Sequence, residues 1–146
     1  MQQTARPFDR HGRCSTGKSI MNILLWVLQI LLALHTVMGA IWKFSHSAEQ
    51  TMPSLKAIPH KVWLAMSVLE LFCSLGLVLP AISEPLAILA PIAAVCIALE
   101  MLLFCALHVS SGDKNYGPMI YWLVVAAICV FIALGRFVLA PFTTGS

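Results

Sequence analysis

Four stretches of this chain, residues 22–42, 61–79, 86–108 and 119–137, stay apolar for close to the length of a membrane span. About 20 such residues in an α-helix cross the roughly 30 Å hydrocarbon core of a bilayer. Inside hydrocarbon each backbone N–H and C=O must be satisfied within the segment, so runs of this kind fold as helices. The punctuation agrees with these limits: Pro53 and Pro59 lie in the first connection, Pro80 stops the second run, and Pro85 stands at the start of the third. Ser110, Ser111, Gly112, Asp113 and Asn115 form a turn before Pro118 opens the fourth. Four passes joined by short connections predict an all-α fold, a four-transmembrane-helix antiparallel bundle with both termini on one side. Only 10% of the residues are charged, against about 25% in a soluble domain, which excludes the soluble classes. Residues 1–20 read as a basic, disordered tail, 21–138 as the membrane domain and 139–146 as a short C-terminal tail.

Aromatic residues mark the same boundaries. Trp42, Trp63, Tyr116, Tyr121 and Trp122 fall at the ends that share a side with the first and third connections, and Trp26 and Phe137 mark the other side, as amphipathic rings at an interface do. Arg6, Arg10, Arg13 and Lys18 precede the first span, a placement suited to anionic lipid headgroups and not to nucleic acid. Membrane lipids are therefore the expected partners, and the expected location is the cell (inner) membrane, crossed several times. Arg6, Arg10, Arg13, Lys18 and Arg136 lie on the termini side, and Lys43, Lys56, Lys61 and Lys114 on the loop side. This balance favours cytoplasmic termini by a single residue, and a translation start at Met21 reverses it.

Three patterns in the chain carry less than they suggest. Gly12-Arg13-Cys14-Ser15-Thr16-Gly17-Lys18-Ser19 matches the phosphate-loop pattern letter by letter, but that loop works between a strand and a packed helix, and here a membrane span follows. The first apolar run resembles a secretory signal with Val37-Met38-Gly39-Ala40 near its end, yet it exceeds the roughly 7–15 residues of a cleaved core, so an uncleaved helix is expected. Cys14, Cys73, Cys96, Cys105 and Cys129 include no CxxC pair and read as packing residues. No HxxxH or ExxH spacing places metal ligands on one helix, and no haem, flavin, nucleotide or iron–sulfur motif is evident.

The candidate chemistry lies inside the spans. Glu70 and Glu100 each sit near the middle of an apolar run. A central charge costs about 2.5–3.5 kcal/mol on insertion scales, against roughly 0.3–0.6 gained per Leu, Ile, Phe or Val, so an acid at that depth is a functional candidate. At 1.5 Å per residue, His35 lies about 10 Å from the loop-side end of its helix, Glu70 about 13 Å and Glu100 about 12 Å. Three helices thus place an ionisable group in one layer, with Gln29 roughly two turns deeper. Cys96, Glu100, Phe104 and His108 follow i, i+4 spacing, a face running from the carboxyl to the loop-side surface, as a proton path or ligand entrance would. Ala90, Ala94 and Ala98 form a small-residue stripe for close helix contact, Gly39 and Gly76 are available for the same purpose, and Pro91 invites a kink within the third span. The competing explanation is structural: carboxyls that hydrogen-bond across helices, at about 0.6 kcal/mol per bond.

The chain resembles the DoxX-like family of small four-helix bacterial membrane proteins over residues 22–137. The resemblance rests on Gly39-Ala40-Ile41-Trp42-Lys43, on Glu70-Leu71 with Leu75-Gly76-Leu77-Val78-Leu79-Pro80, on Leu89-Ala90-Pro91-Ile92-Ala93-Ala94 with Met101 and His108, and on Gly135-Arg136. It implies that Glu70 matches the family's acidic residue before a glycine-rich helix end, and that Lys43 matches its basic residue after the first helix. Glu100 and the segment before Met21 have no counterpart to carry over. Some members serve as membrane subunits of oxidoreductase assemblies, including a thiosulfate to quinone enzyme. The expectation is a multi-pass membrane protein that is a quinone- or ligand-binding component, or a subunit without its own redox centre, of such an assembly. His35, Glu70 and Glu100 would line a polar pocket, with an oxidoreductase subunit or a second copy of the chain as partner. The rival readings are a small proton-coupled transporter working as a dimer and a lipid-binding bundle without chemistry. No catalytic residue is assigned.

Overall fold

The structure is a computed structural model that describes residues 11–139; residues 1–10 of the N-terminal tail expected at 1–20, and 140–146 of the C-terminal tail expected at 139–146, lie outside the described residues. Five helices follow in order: α1 (His11–Ser45), the short α2 (Ala48–Thr51), α3 (His60–Val78), α4 (Leu89–Ser110) and α5 (Tyr116–Leu134). Single 3-10 turns lie at Pro53–Leu55, Leu79–Ala81 and Glu84–Leu86, and α5 runs on into a π-helical turn, Gly135–Leu139. Four of the helices are long and apolar enough to cross a membrane, over Gly17–Ser45, His60–Ala81, Leu89–Ser110 and Tyr116–Val138. The surface bears this out, because Leu34, Phe72, Leu75, Leu99, Val124 and Leu134 all point outward, the inverse of a soluble protein and the expected face toward lipid.

Two sequence expectations are corrected by where helices begin. Residues 11–20 are helical, so the disordered tail does not extend to residue 20. Extending an existing helix adds one hydrogen bond for each residue fixed, and no proline interrupts positions 11–20. The 35 residues of α1 run about 52 Å and outreach the hydrocarbon. Pro91 produces no mid-span kink, because α4 starts at Leu89 and not near Pro85. Pro91 therefore stands in the first helical turn, where an N–H would be orphaned anyway and the fixed φ suits the helix. Pro118 occupies the same third position of α5, whose N-cap Asn115 accepts from the Gly117 N–H.

The helices pack as a ring in which α4 lies most extensively on α5, α1 on α3, and α3 on α4, whereas α1 and α5 touch far less. Small residues set the tight seams. A Cβ on Gly76 would stand 3.2 Å from Cβ of Ala93, and one on Gly135 only 2.5 Å from Cδ2 of Leu25. Ala90, Ala94 and Ala98 are all buried. Gly39 differs from the close-packing role expected of it, since a Cβ there meets nothing within 4 Å.

Candidate functional site

Lys43 stands in the last turn of α1, within the span because the helix continues to Ser45. Its side chain turns inward and donates to Oε1 of Glu70 at 2.9 Å and to Oε1 of Glu100 at 2.6 Å. The ammonium also lies 4.8 Å from the ring centres of both Trp63 and Phe104, each a cation–π contact that desolvation strengthens. Lys43, Glu70 and Glu100 are 6%, 4% and 7% exposed. Three helices, α1, α3 and α4, are thus tied at one buried point. One ammonium faces two carboxyl groups at that point. Oε2 of Glu70 is buried and has no hydrogen-bond partner among the described residues, an acceptor of the kind that a native interior seldom leaves idle.

Glu70 and Lys43 form the inner wall of a cavity of about 190 Å³, whose outer wall includes His35, Gly39 and Tyr121. The Tyr121 hydroxyl and Nε2 of His35 are hydrogen-bonded across the seam between α1 and α5, with the rings edge to face at 5.7 Å. Trp42, Trp63 and Trp122 supply aromatic wall. The roof is the first connection: Ser47 caps α2 in a reciprocal capping box with Gln50, which holds Thr51, Met52 and Leu55 over the cavity. Trp63 Nε1 donates to the carbonyl of His46 at 2.8 Å and fastens that roof to α3.

The sequence candidates separate into three places. Glu70, Glu100 and Lys43 converge directly, and His35 reaches the same cavity from α1, although its hydrogen bond goes to Tyr121. His108 does not open a path beside Glu100. It is 1% exposed, with Nε2 2.8 Å from the Asn115 carbonyl and Nδ1 2.9 Å from the Ser54 hydroxyl. A carbonyl only accepts, so Nε2 carries a proton, and in the neutral ring Nδ1 accepts from Ser54. The ring also sits edge-on to Trp122 at 5.7 Å. His108 is therefore a clamp that joins the first connection to the third, and the expected route along α4 is closed by it. Gln29 lies in a separate layer near the other end. It donates to the Leu77 carbonyl at 2.9 Å and accepts from Arg136 Nε. Arg136 Nη1 bonds Asn22 Oδ1 at 2.7 Å, and its guanidinium lies 5.0 Å from the Trp26 ring centre. Gly76, Pro80 and Pro91 shape helix ends and seams, and no polar group of theirs enters the cavity.

Sequence reasoning carried Lys43 only through resemblance and read Tyr121 only as an interfacial ring. The missing signal for Lys43 was charge balance: two acids in one layer require a cation, and Lys43 is the basic residue within reach on the facing helix. No group of three His, Cys, Asp or Glu residues that could hold a metal ion occurs among the described residues. Cys73, Cys96, Cys105 and Cys129 are free thiols.

Residues 27–132 match one family model, that of the DoxX-like family. No curated protein and no solved structure matches the chain.

Proposed function

The chain belongs to the DoxX-like family and is a multi-pass membrane protein, and from that premise we propose that it serves as the quinone- or ligand-binding membrane component of an oxidoreductase assembly, with the redox centre on a partner subunit. The observation that carries this reading is the buried, unpartnered Oε2 of Glu70, a residue that lines the cavity together with Lys43. A bound quinone supplies two-electron, two-proton chemistry at its ring oxygens. The residues present suit such a ring. Glu70 offers an acceptor, Lys43 a donor, and the Tyr121–His35 pair a second hydrogen-bonding point on the opposite wall, with aromatic surface between them. The volume, about 190 Å³, suits one six-membered ring, since an apolar cavity of about 150 Å³ in another protein accepts benzene.

Three of the four tryptophans border the cavity, which makes fluorescence a direct assay. With the protein in nanodiscs, a short-tailed benzoquinone should quench tryptophan emission saturably, and Glu70→Gln should weaken the apparent affinity at least tenfold. In membranes that contain the assembly, Glu70→Gln and Glu100→Gln should lower quinone-linked activity or assembly. Quenching that rises without saturation and is identical in the variants, together with unchanged activity and assembly, would overturn the proposal.

A further inference from the structure

On the loop side the first connection roofs the cavity, with Thr51 and Met52 half-buried and Trp42 exposed at its rim. Leu55, at 1% exposure, covers it from above, Trp63 is bonded to the roof, and His108 is clamped between Ser54 and Asn115. Its other margin is the thinly packed seam between α1 and α5. There His35 is half-buried and Tyr121 is exposed, and the space beside Gly39 is open. On the far side of the His35–Tyr121 pair lies an apolar groove of about 220 Å³ along Leu28, Leu31, Leu32 and Ile128. His35, Tyr121 and Val125 border both spaces. Two further apolar grooves lie among the described residues, one between α3 and α4 at Phe72 and Ile92, the other between α4 and α5 at Leu99 and Val130. Neither shares a lining residue with the cavity.

We propose that the site takes its ligand sideways from the lipid, through the seam between α1 and α5, and that the ligand is an amphiphile with a single-ring polar head and one apolar tail. The head lies in the cavity against Glu70 and Lys43, the tail lies in the groove beside Leu28, Leu31 and Ile128, and the His35–Tyr121 hydrogen bond is the bar between them. The proposal rests on the pocket reading given above and adds the ligand's shape and route to it. The continuity of the two spaces selects this groove over the other two. Burial of the tail as such does not, because lipid is as apolar as the groove. A tail therefore gains position here more than affinity, and the decisive measurement is where it sits.

The probe is a benzoquinone with a ten-carbon tail ending in a diazirine, photolysed with the full chain in nanodiscs and mapped by peptide mass spectrometry. The competitor is the same ring without a tail. Labelling that the competitor removes should fall on residues 28–35 of α1 and 121–128 of α5. Gly39→Leu, which adds bulk at the mouth where the fold has space, should abolish that labelling. Leu31→Trp and Ile128→Trp should each cut tail labelling at least fivefold while the tailless ring still quenches tryptophan emission. Leu31 is lipid-facing, so its variant keeps the test available if the half-buried Ile128 variant misfolds. Competed labelling at Phe72 and Ile92, at Leu99 and Val130, or on residues 46–58 overturns the lateral route. If the tailless ring quenches saturably in a Glu70-dependent way while no competed labelling appears in the seam, the route alone fails. If neither ring nor tail binds, the pocket reading fails with it.

Discussion

Lys43→Met tests whether the buried cluster is the main tie between α1 and the other helices. Methionine keeps a long unbranched apolar stem but removes the ammonium, leaving Oε1 of Glu70 and Oε1 of Glu100 facing one another where the cation stood 2.9 and 2.6 Å away. Their side chains are 5% and 6% exposed, so water does little to replace the lost partner. Removing one member of a buried ion pair costs about 3–5 kcal/mol, most of it the penalty of an uncompensated charge. The contacts with Trp63 and Phe104 are lost in the same truncation and are contained in that figure. With roughly 2–4 °C of midpoint per kcal/mol for a chain of this size, the thermal midpoint in detergent should fall by about 6–20 °C. The triple variant Lys43→Met, Glu70→Gln, Glu100→Gln should recover most of the loss, because two amides hydrogen-bond to each other without a buried charge. Midpoints would be read by fluorescence-detected size exclusion after heating. A single variant within about 2 °C of wild type, or a triple variant no more stable than the single, would refute the reasoning.

Two further outcomes follow from the packing. Gly135→Ala places a Cβ 2.5 Å from Cδ2 of the fully buried Leu25, so overpacking should cost about 1–3 kcal/mol. The thermal midpoint should drop accordingly, and Leu25→Ala in the same chain should return part of the loss. His108→Ala strips the partners from the Ser54 hydroxyl and the Asn115 carbonyl, at about 1–3 kcal/mol for each polar group left unsatisfied. It should lower the midpoint while leaving quinone quenching at the wild-type affinity, whereas a ligand entrance at His108 would change the affinity.

Membrane spans were legible because hydropathy over 20 residues reports a sum, and sums tolerate local error. Glu70 and Glu100 stood out for the same reason: each contradicts its surroundings strongly enough to be seen without any knowledge of its neighbours. Their partner was harder to see. Ending the first helix at Trp42 put Lys43 in a loop, and only three more helical residues bring its side chain inside. Pro91 was misread through the same kind of boundary error, since a proline three residues into a helix and a proline in mid-helix differ only in where the helix begins. His35 and Tyr121 are 86 positions apart, and helix depth alone does not say which faces meet across a seam. The face along Cys96, Glu100, Phe104 and His108 was assigned correctly as a stripe, but the occupants of the space above it, Ser54 and Asn115, come from two connections whose conformations no helical period describes.

The distribution of tight and loose seams explains why chemistry sits where it does. Between α3 and α4 the approach is set by Gly76 against Ala93, and at the far end Gly135, just after α5, meets Leu25 of α1; such contacts are short and apolar, and the groove beside Gly76 and Ala93 is lined by apolar side chains. Near the loop side, α1 and α5 lack a comparable small-residue contact, and Gly39 leaves space there. A helix held loosely on one flank gains from a strong tie on the other, and in lipid there is no hydrophobic driving force between helices, which leaves van der Waals packing and polar contacts to hold them. Polar groups supply part of that tie here. Lys43 reaching to Glu70 and Glu100, and Gln29 reaching to the Leu77 carbonyl, fasten α1 to its neighbours from two depths. The upper tie is charged and faces a cavity, the lower is neutral on the side of Leu77 and faces packed backbone. Only the upper one combines two buried acids, an idle acceptor and adjoining space, so the residues that hold α1 in place are the same ones equipped to meet a ligand.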